Sequence, residues 1–99
     1  MKYLYVTFSD WNTFRIPIEV IAKSRAWYYA CNVDGFEEDS KEYLDELKSS
    51  LKDNGELIDW ACNNLNWEDV EEYKELVKSE NRHIYTKEWS NAEKVIAVG

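Results

Sequence analysis

The sequence has few of the residues that form sharp turns, metal sites or disulfide scaffolds. Its 99 residues include three glycines, one proline, two cysteines and one histidine. The three glycines, Gly35, Gly55 and Gly99, are scattered, which excludes a glycine-rich phosphate-binding loop. Cys31 and Cys62 lie far apart and lack the spacing of metal ligands. We therefore predict two reduced thiols, buried as small hydrophobic side chains.

Features of membrane proteins, exported proteins and enzymes are also missing. No apolar run approaches the roughly 20 residues that span a bilayer, and the first residues resemble a strand rather than a signal peptide. His83 has no second histidine for a metal and is expected in a solvated loop. The acidic runs Glu37–Asp39 and Glu71–Glu72 lack the spacing of a calcium loop. The sequence thus predicts a cytoplasmic protein that is no enzyme and has no metal or cofactor.

What the sequence does have is acidic charge, and that charge is unevenly spread. The chain has 20 acidic and 12 basic residues, a formal charge of −8. Between Asp34 and Glu80 there are 16 acidic and 5 basic residues, whereas the rest holds 4 acidic and 7 basic. This charge repels phosphates, so we expect no direct binding of nucleic acid and an attraction to a protein with a basic surface. The alternative is that the acids only keep a small domain soluble.

Alternation of apolar and polar residues predicts strands at both ends of the chain. Lys2–Phe8 and Thr13–Ile16 alternate with period two and are joined by a short turn, which indicates a hairpin. Residues His83–Trp89 and Lys94–Val98 are β-type runs that predict a second, C-terminal hairpin. Tyr73–Lys78 fits both a strand and a helix, and we favour the strand.

Three helices are predicted between these strands. Pro17–Ala30 has an apolar stripe that ends at Tyr29, and Arg25 borders this stripe, where its stem can lie along the aromatic rings. Phe36–Asp53 is the second helix, capped by Asp39 or Ser40. Its narrow stripe is Tyr43, Leu44, Leu47 and Leu51. Asn54-Gly55 is typical of a helix stop, and Glu56–Asn64 forms the third helix.

The stretch Asp59–Val70 has two tryptophans, Trp60 and Trp67, on either side of three asparagines. Asparagine prefers caps and turns, so we predict that one helix ends near Asn64 and that Asn66 caps a short helical turn. The indoles are expected to pack in this corner. Residues 1–99 should form a single α+β domain, with an antiparallel sheet covered by helices on one face.

Candidate binding residues come from the spare tryptophans and the acidic segment. Five tryptophans exceed what a small core must hold, and Trp11 and Trp27 lie where exposure is expected, in a turn and off the helical stripe. The predicted partner-binding residues are Trp11, Trp27, Glu37, Glu38, Asp39, Glu42, Asp45, Glu46, Glu68, Asp69, Glu71 and Glu72.

Three segments carry a resemblance to a known group of proteins. They are YVTFSD at 5–10, IPIEVIA with RAWYYA between 16 and 30, and DWACNNLNWEDV at 59–70. Together they resemble small, acidic, uncharacterised proteins encoded by bacteriophages and prophages. The resemblance implies action in the cytoplasm of a host bacterium. Small acidic phage proteins often block host machinery, including as DNA mimics against restriction or CRISPR effectors.

Two functional hypotheses follow from the charge and the tryptophans. In the first, the protein inhibits a host nucleic-acid-binding or defence protein by binding its basic surface, in the manner of a DNA mimic. In the second, it is a structural or accessory phage protein that self-associates, for example as a dimer, through its aromatic surface. The sequence leaves the oligomeric state open.

Overall fold

The N-terminal hairpin is the centre of a four-stranded antiparallel sheet. The computed structural model describes residues 2–9, 12–78 and 88–99. Its strands are β1 (Lys2–Thr7), β2 (Thr13–Pro17), β3 (Glu75–Lys78) and β4 (Glu93–Val98). Their order in the sheet is β3-β2-β1-β4, so the two C-terminal strands flank the hairpin on opposite sides. The predicted α+β class is confirmed.

Period-two alternation separates the two faces of the sheet. Leu4 and Val6 on β1 and Ile16 on β2 are buried under the helices. Tyr5 lies opposite Arg15 in the register, on the other face. The hairpin prediction is therefore confirmed in its strands and its pairing.

The helices follow one another between the hairpin and β3. They are α1 (Ile18–Ala26), which continues as a π-helix (Trp27–Val33), then α2 (Lys41–Lys52), α3 (Asn54–Asn64) and α4 (Trp67–Val70). Short 3₁₀ turns occupy Glu71–Tyr73 and Trp89–Asn91. Within residues 2–9, 12–78 and 88–99, no helix is long and apolar enough to cross a membrane.

Three helix boundaries differ from the prediction. The first helix, predicted to end at Ala30, continues as a π-helix to Val33. The second helix begins at Lys41 rather than Phe36, because Ser40 caps it by accepting the Tyr43 N–H at 3.2 Å. Asn54 and Gly55 do not stop a helix but open α3, since the Asp53 carboxylate accepts the Glu56 N–H at 3.1 Å. A side-chain cap overrides the turn preference of an Asn-Gly pair.

Two predicted core positions lie at the surface. Tyr29 is exposed because the π-helix widens the turn, so that Ala30 faces the interior instead. Leu44 is exposed on α2, where Tyr43 and Ser50 are the buried residues, and the Ser50 hydroxyl accepts a hydrogen bond from Arg25 at 2.9 Å. Cys31 and Cys62 are free, as predicted, but half-buried rather than buried.

Aromatic rings fill the centre of the core. Trp67 lies 5.3 Å from Phe8, 5.5 Å from Phe14 and 5.9 Å from Trp89, measured between ring centroids. The indole N–H of Trp89 donates to the carbonyl of Ala61 at 2.8 Å. These rings join the sheet to α3 and α4. The packing role predicted for Trp67 is confirmed.

The corner between α3 and α4 forms as the asparagines predict. Helix α3 ends at Asn64, and α4 starts after Asn66. The Asn66 N–H donates to the Asp69 carboxylate at 2.8 Å, which is half of a capping box. The Asp69 carboxylate therefore stabilises the start of α4.

The C-terminal part matches the prediction where it is described. Strand β3 spans Glu75–Lys78. The strand favoured for Tyr73–Lys78 is therefore confirmed for its last four residues, whereas Tyr73 belongs to a 3₁₀ turn. Strand β4 matches the predicted run but pairs with β1. Most of His83–Trp89, the other arm of the predicted hairpin, lies outside the described residues.

Lys94 connects the C-terminal strand β4 to the core. Lys94 lies opposite Val6 in the register, hence on the covered face of the sheet. Its ammonium donates to the carbonyls of Trp89 and Ala92 and lies 4.5 Å from the centre of the Trp89 ring. Burial lowers the pKa of Lys94.

Candidate interaction surface

The π-helix presents three consecutive aromatic side chains to solvent. Trp27 is 47% exposed, Tyr28 40% and Tyr29 39%. Val33 and Phe36, which follow along the chain, are 57% and 44% exposed. All five side chains lie on one ten-residue segment of the chain, and exposed apolar surface marks candidate interaction sites. We call these five residues the aromatic surface.

A buried indole supports two of these rings. Tyr28 and Tyr29 lie edge to face with centroids 5.3 Å apart, and each packs on Trp60, at 5.3 and 5.7 Å. Trp60 is 8% exposed, and its indole N–H donates to the Ser24 hydroxyl at 3.2 Å. The two tyrosines are therefore held in place before any partner arrives, which lowers the entropy cost of binding.

Arg25 connects the aromatic surface to the two helices beneath it. The sequence predicts that the stem of Arg25 lies along aromatic rings, and in the structure it is the guanidinium carbon that lies 4.8 Å from the centre of the Tyr29 ring. The same guanidinium bonds Glu46 at 3.1 Å and Ser50 at 2.9 Å, and pairs with Glu56 at 3.5 Å. Arg25 thus joins α1 to α2 and α3, with one ring face and two carboxylates around it.

An acidic loop follows the aromatic surface directly. Gly35 adopts a φ of 76°, in the left-handed region that favours glycine, and ends the π-helix. The Gly35 N–H donates to the Cys31 carbonyl at 3.2 Å, and the Phe36 N–H donates to the Ala30 carbonyl at 2.8 Å. The chain therefore turns back over the helix end. The next residues, 37–39, are all acidic and all exposed.

The charges of this acidic loop act on two titratable groups, one on the π-helix and one on α2. The pKa of the Cys31 thiol is raised, first by burial and then by the charges of Glu38 and Asp39. The pKa of Tyr43, on α2, is raised in the same way by burial and by these two carboxylates. Both charges thus act on the junction of the π-helix with α2. We call residues 37–39 the acidic loop.

Cys31 offers a direct test of this electrostatic effect. In a Cys62→Ser background, alkylation of Cys31 by iodoacetamide at pH 8 should be slower than that of an unperturbed thiol, because only the thiolate reacts. The double variant Glu38→Gln/Asp39→Asn should react faster, since removal of two negative charges lowers the thiol pKa. High salt should reduce the difference in Cys31 alkylation rate between the parent and the double variant, because it screens the two charges.

The matched control for that experiment is Glu68→Gln/Glu72→Gln, which makes the same change in net charge on other elements. Its alkylation rate should equal that of the parent. Equal acceleration by both double variants would mean that net charge, rather than a local acidic loop, sets the thiol pKa.

One part of the predicted binding set lies on the π-helix and on the segments that follow it. Trp27 is the first residue of the π-helix, the acids of residues 37–39 follow the end of that helix, and Glu42 and Asp45 are exposed on α2. Glu68 and Glu72 are exposed on α4 and the 3₁₀ turn after it. Trp11 lies outside the described residues.

Three of the predicted carboxylates are engaged within the chain. Glu46 pairs with Arg25, Asp69 accepts the Asn66 N–H, and Glu71 lies 3.9 Å from the Lys74 ammonium. Their first contribution is therefore to the fold, and they are weaker candidates for contact with a partner than the acids of residues 37–39.

Sequence reasoning missed Tyr28, Tyr29, Val33 and Phe36 as members of the surface. The sequence does contain an indication that Tyr28 or Tyr29 is exposed. Three consecutive residues of a helix span about 200° at 100° per residue, so three aromatic residues in a row cannot all face one core. The π-helix itself leaves no such signal in the apolar spacing.

Two cavities in the described part of the chain lie away from the aromatic surface. One of about 260 Å³ is lined by Ser9, Glu88, Asn91 and Ala92. Another of about 200 Å³ is lined by Glu19, Val20, Lys23 and Tyr73. In the same described residues, no group of three or more His, Cys, Asp or Glu side chains is placed to hold a metal ion.

Comparison of the chain with protein-family models, with curated proteins and with solved structures gave no match in any of the three.

Proposed function

We propose that this protein works by binding a partner protein that has a basic surface, and that it docks through the aromatic surface and the acidic loop together. The observation that carries the proposal is the run Trp27–Tyr29, exposed, supported by Trp60 and followed by three exposed acids. Tryptophan and tyrosine are enriched among the residues that dominate binding energy. Carboxylates beside them attract and orient a basic partner.

The partner we propose is a host nucleic-acid-binding or defence protein in the bacterial cytoplasm, such as a restriction or CRISPR effector, which the protein would inhibit. The basic groove of such a protein fits the charge of residues 37–39. Engagement of Glu46, Asp69 and Glu71 within the chain favours docking with aromatic anchors over an array of carboxylates that only imitates phosphates. DNA mimicry would then be partial, limited to the acidic loop and α2.

The test is affinity capture from host lysate with three immobilised proteins: the parent, Trp27→Ala and Tyr73→Ala. Tyr73 is the matched control because it is also 47% exposed but lies beyond α4. We expect a host protein that the parent and Tyr73→Ala recover, that Trp27→Ala loses, and that rising salt releases. Its identification as a nucleic-acid-binding or defence protein, and inhibition of its activity by the parent, complete the test. Recovery of the same host protein by Trp27→Ala and by the parent in equal amounts would contradict docking at the aromatic surface.

A second candidate function, self-association, is favoured by the edge of the sheet. Strand β4 pairs with β1 on one side only among the described strands, and its Val95 and Val98 are 50% and 73% exposed. Unpaired strand edges join other chains readily. In sedimentation velocity, this function requires a dimer at micromolar concentration, whereas the binding function is compatible with a monomer.

A further inference from the structure

We propose that the aromatic surface takes an arginine side chain of the partner, and that it distinguishes arginine from lysine. This inference rests on the proposed function and specifies the chemistry of the partner at that surface. Attraction of a basic partner by charge alone would not distinguish the two residues, because arginine and lysine carry the same charge.

The chain already contains one arginine held in the way we propose. Arg25 lies over Tyr29 at 4.8 Å and bonds or pairs with Glu46 and Glu56, at 3.1 and 3.5 Å. A ring on one side and carboxylates at the edge of the guanidinium form a complete site for arginine. One ring of the π-helix and carboxylates of α2 and α3 are therefore compatible in geometry with a guanidinium.

The two residues that precede Tyr29 in the chain carry further rings, and these are exposed. Trp27 and Tyr28 are 47% and 40% exposed, and the acidic loop follows the helix on which they lie. Indole binds a cation on its face better than phenol or benzene. A planar guanidinium stacks on such rings and sheds water more easily than an ammonium, so arginine gains more there than lysine.

The charge around these rings excludes other kinds of occupant. Residues 27–46 include seven acidic residues and one lysine. This surplus repels acidic segments and nucleic acid, and it attracts cationic side chains. A purely apolar partner helix would leave the acidic loop without a counterpart. The arginine of a basic protein segment satisfies the rings and the carboxylates together.

The experiment compares two synthetic peptides of equal length and charge, one of repeating Gly-Arg and one of repeating Gly-Lys, titrated into the parent protein at low salt. We expect the arginine peptide to bind roughly tenfold more tightly, because the guanidinium stacks on the rings and loses its water more easily than the ammonium. A citrulline peptide keeps the planar group without its charge and should not bind measurably.

Two variants locate the selectivity. Trp27→Ala should bring the two affinities close together, and Tyr73→Ala should leave the arginine preference intact. Far-ultraviolet circular dichroism confirms that both variants are folded, which is expected because both side chains are largely exposed.

The possible results distinguish failure of the arginine inference from failure of the proposed function. Equal binding of both peptides, weakened for both by Trp27→Ala, would overturn arginine selectivity and leave the proposed function standing. An arginine preference that persists in Trp27→Ala would place the arginine elsewhere and overturn the inference. No binding of either peptide would overturn both the inference and docking of a basic partner at this surface.

Discussion

Replacing Trp67 with alanine should lower the free energy of unfolding by about 3–5 kcal/mol, the largest loss we expect from a single substitution in the described core. Trp67 is 4% exposed and meets three other aromatic rings, those of Phe8, Phe14 and Trp89. Truncation to alanine leaves a cavity that rigid neighbours cannot fill. Domains of this size have about 5–15 kcal/mol of stability, so the variant should be close to the limit of folding.

The measurement is urea unfolding followed by circular dichroism, with Trp67→Phe and Trp27→Ala as controls. Phenylalanine keeps a ring in contact with Phe8 and should cost clearly less than alanine. Trp27 is exposed, so its loss should change stability by no more than about 0.5 kcal/mol. Equal effects of Trp67→Ala and Trp27→Ala would contradict the core that the ring contacts define.

The second large effect is expected at Trp60. Trp60→Ala should cost about 3 kcal/mol, because the indole is buried and donates a hydrogen bond to Ser24. It should also weaken partner binding, since Tyr28 and Tyr29 both pack on this ring and lose their support without it. Thermal unfolding measures the first effect, and titration with the arginine peptide measures the second.

Two further variants separate the causes of the Trp60 effect. Trp60→Phe keeps an aromatic support but loses the N–H, so it should retain most of the binding. Ser24→Ala removes only the hydrogen-bond acceptor and should cost about 1 kcal/mol. Unchanged melting temperature in Trp60→Ala would show that the indole is not part of the core, and full binding at a lowered melting temperature would show that the tyrosines need no support.

The parts of the fold that depend on local chemistry were predictable from the sequence. Alternation identified the hairpin, and the preference of asparagine for caps identified the corner at Asn64 and Asn66. The sequence predicts too early a start for α2, because residues 36–40 contain no helix breaker. Of the two caps that it predicts, Ser40 is the one used, whereas Asp39 adopts a φ of 65° outside the helix.

The rest depended on contacts between distant residues. A π-helix changes which residues face the core, and a search for 3.6-residue spacing assigns Tyr29 to the interior when it lies at the surface. The pairing of Glu46 with Arg25 spans 21 residues and two helices, so nothing local to Glu46 indicates that its charge is engaged. Exposure of Trp27, by contrast, followed from its position off the stripe.

The most direct test of the central claim is hydrogen exchange of the backbone amides, measured with and without the captured partner or the arginine peptide. Docking at the aromatic surface and acidic loop predicts slower exchange over residues 27–39 and little change over β4 and residues 68–72. Protection confined to β4 or to residues 68–72, with residues 27–39 unchanged, would contradict the claim.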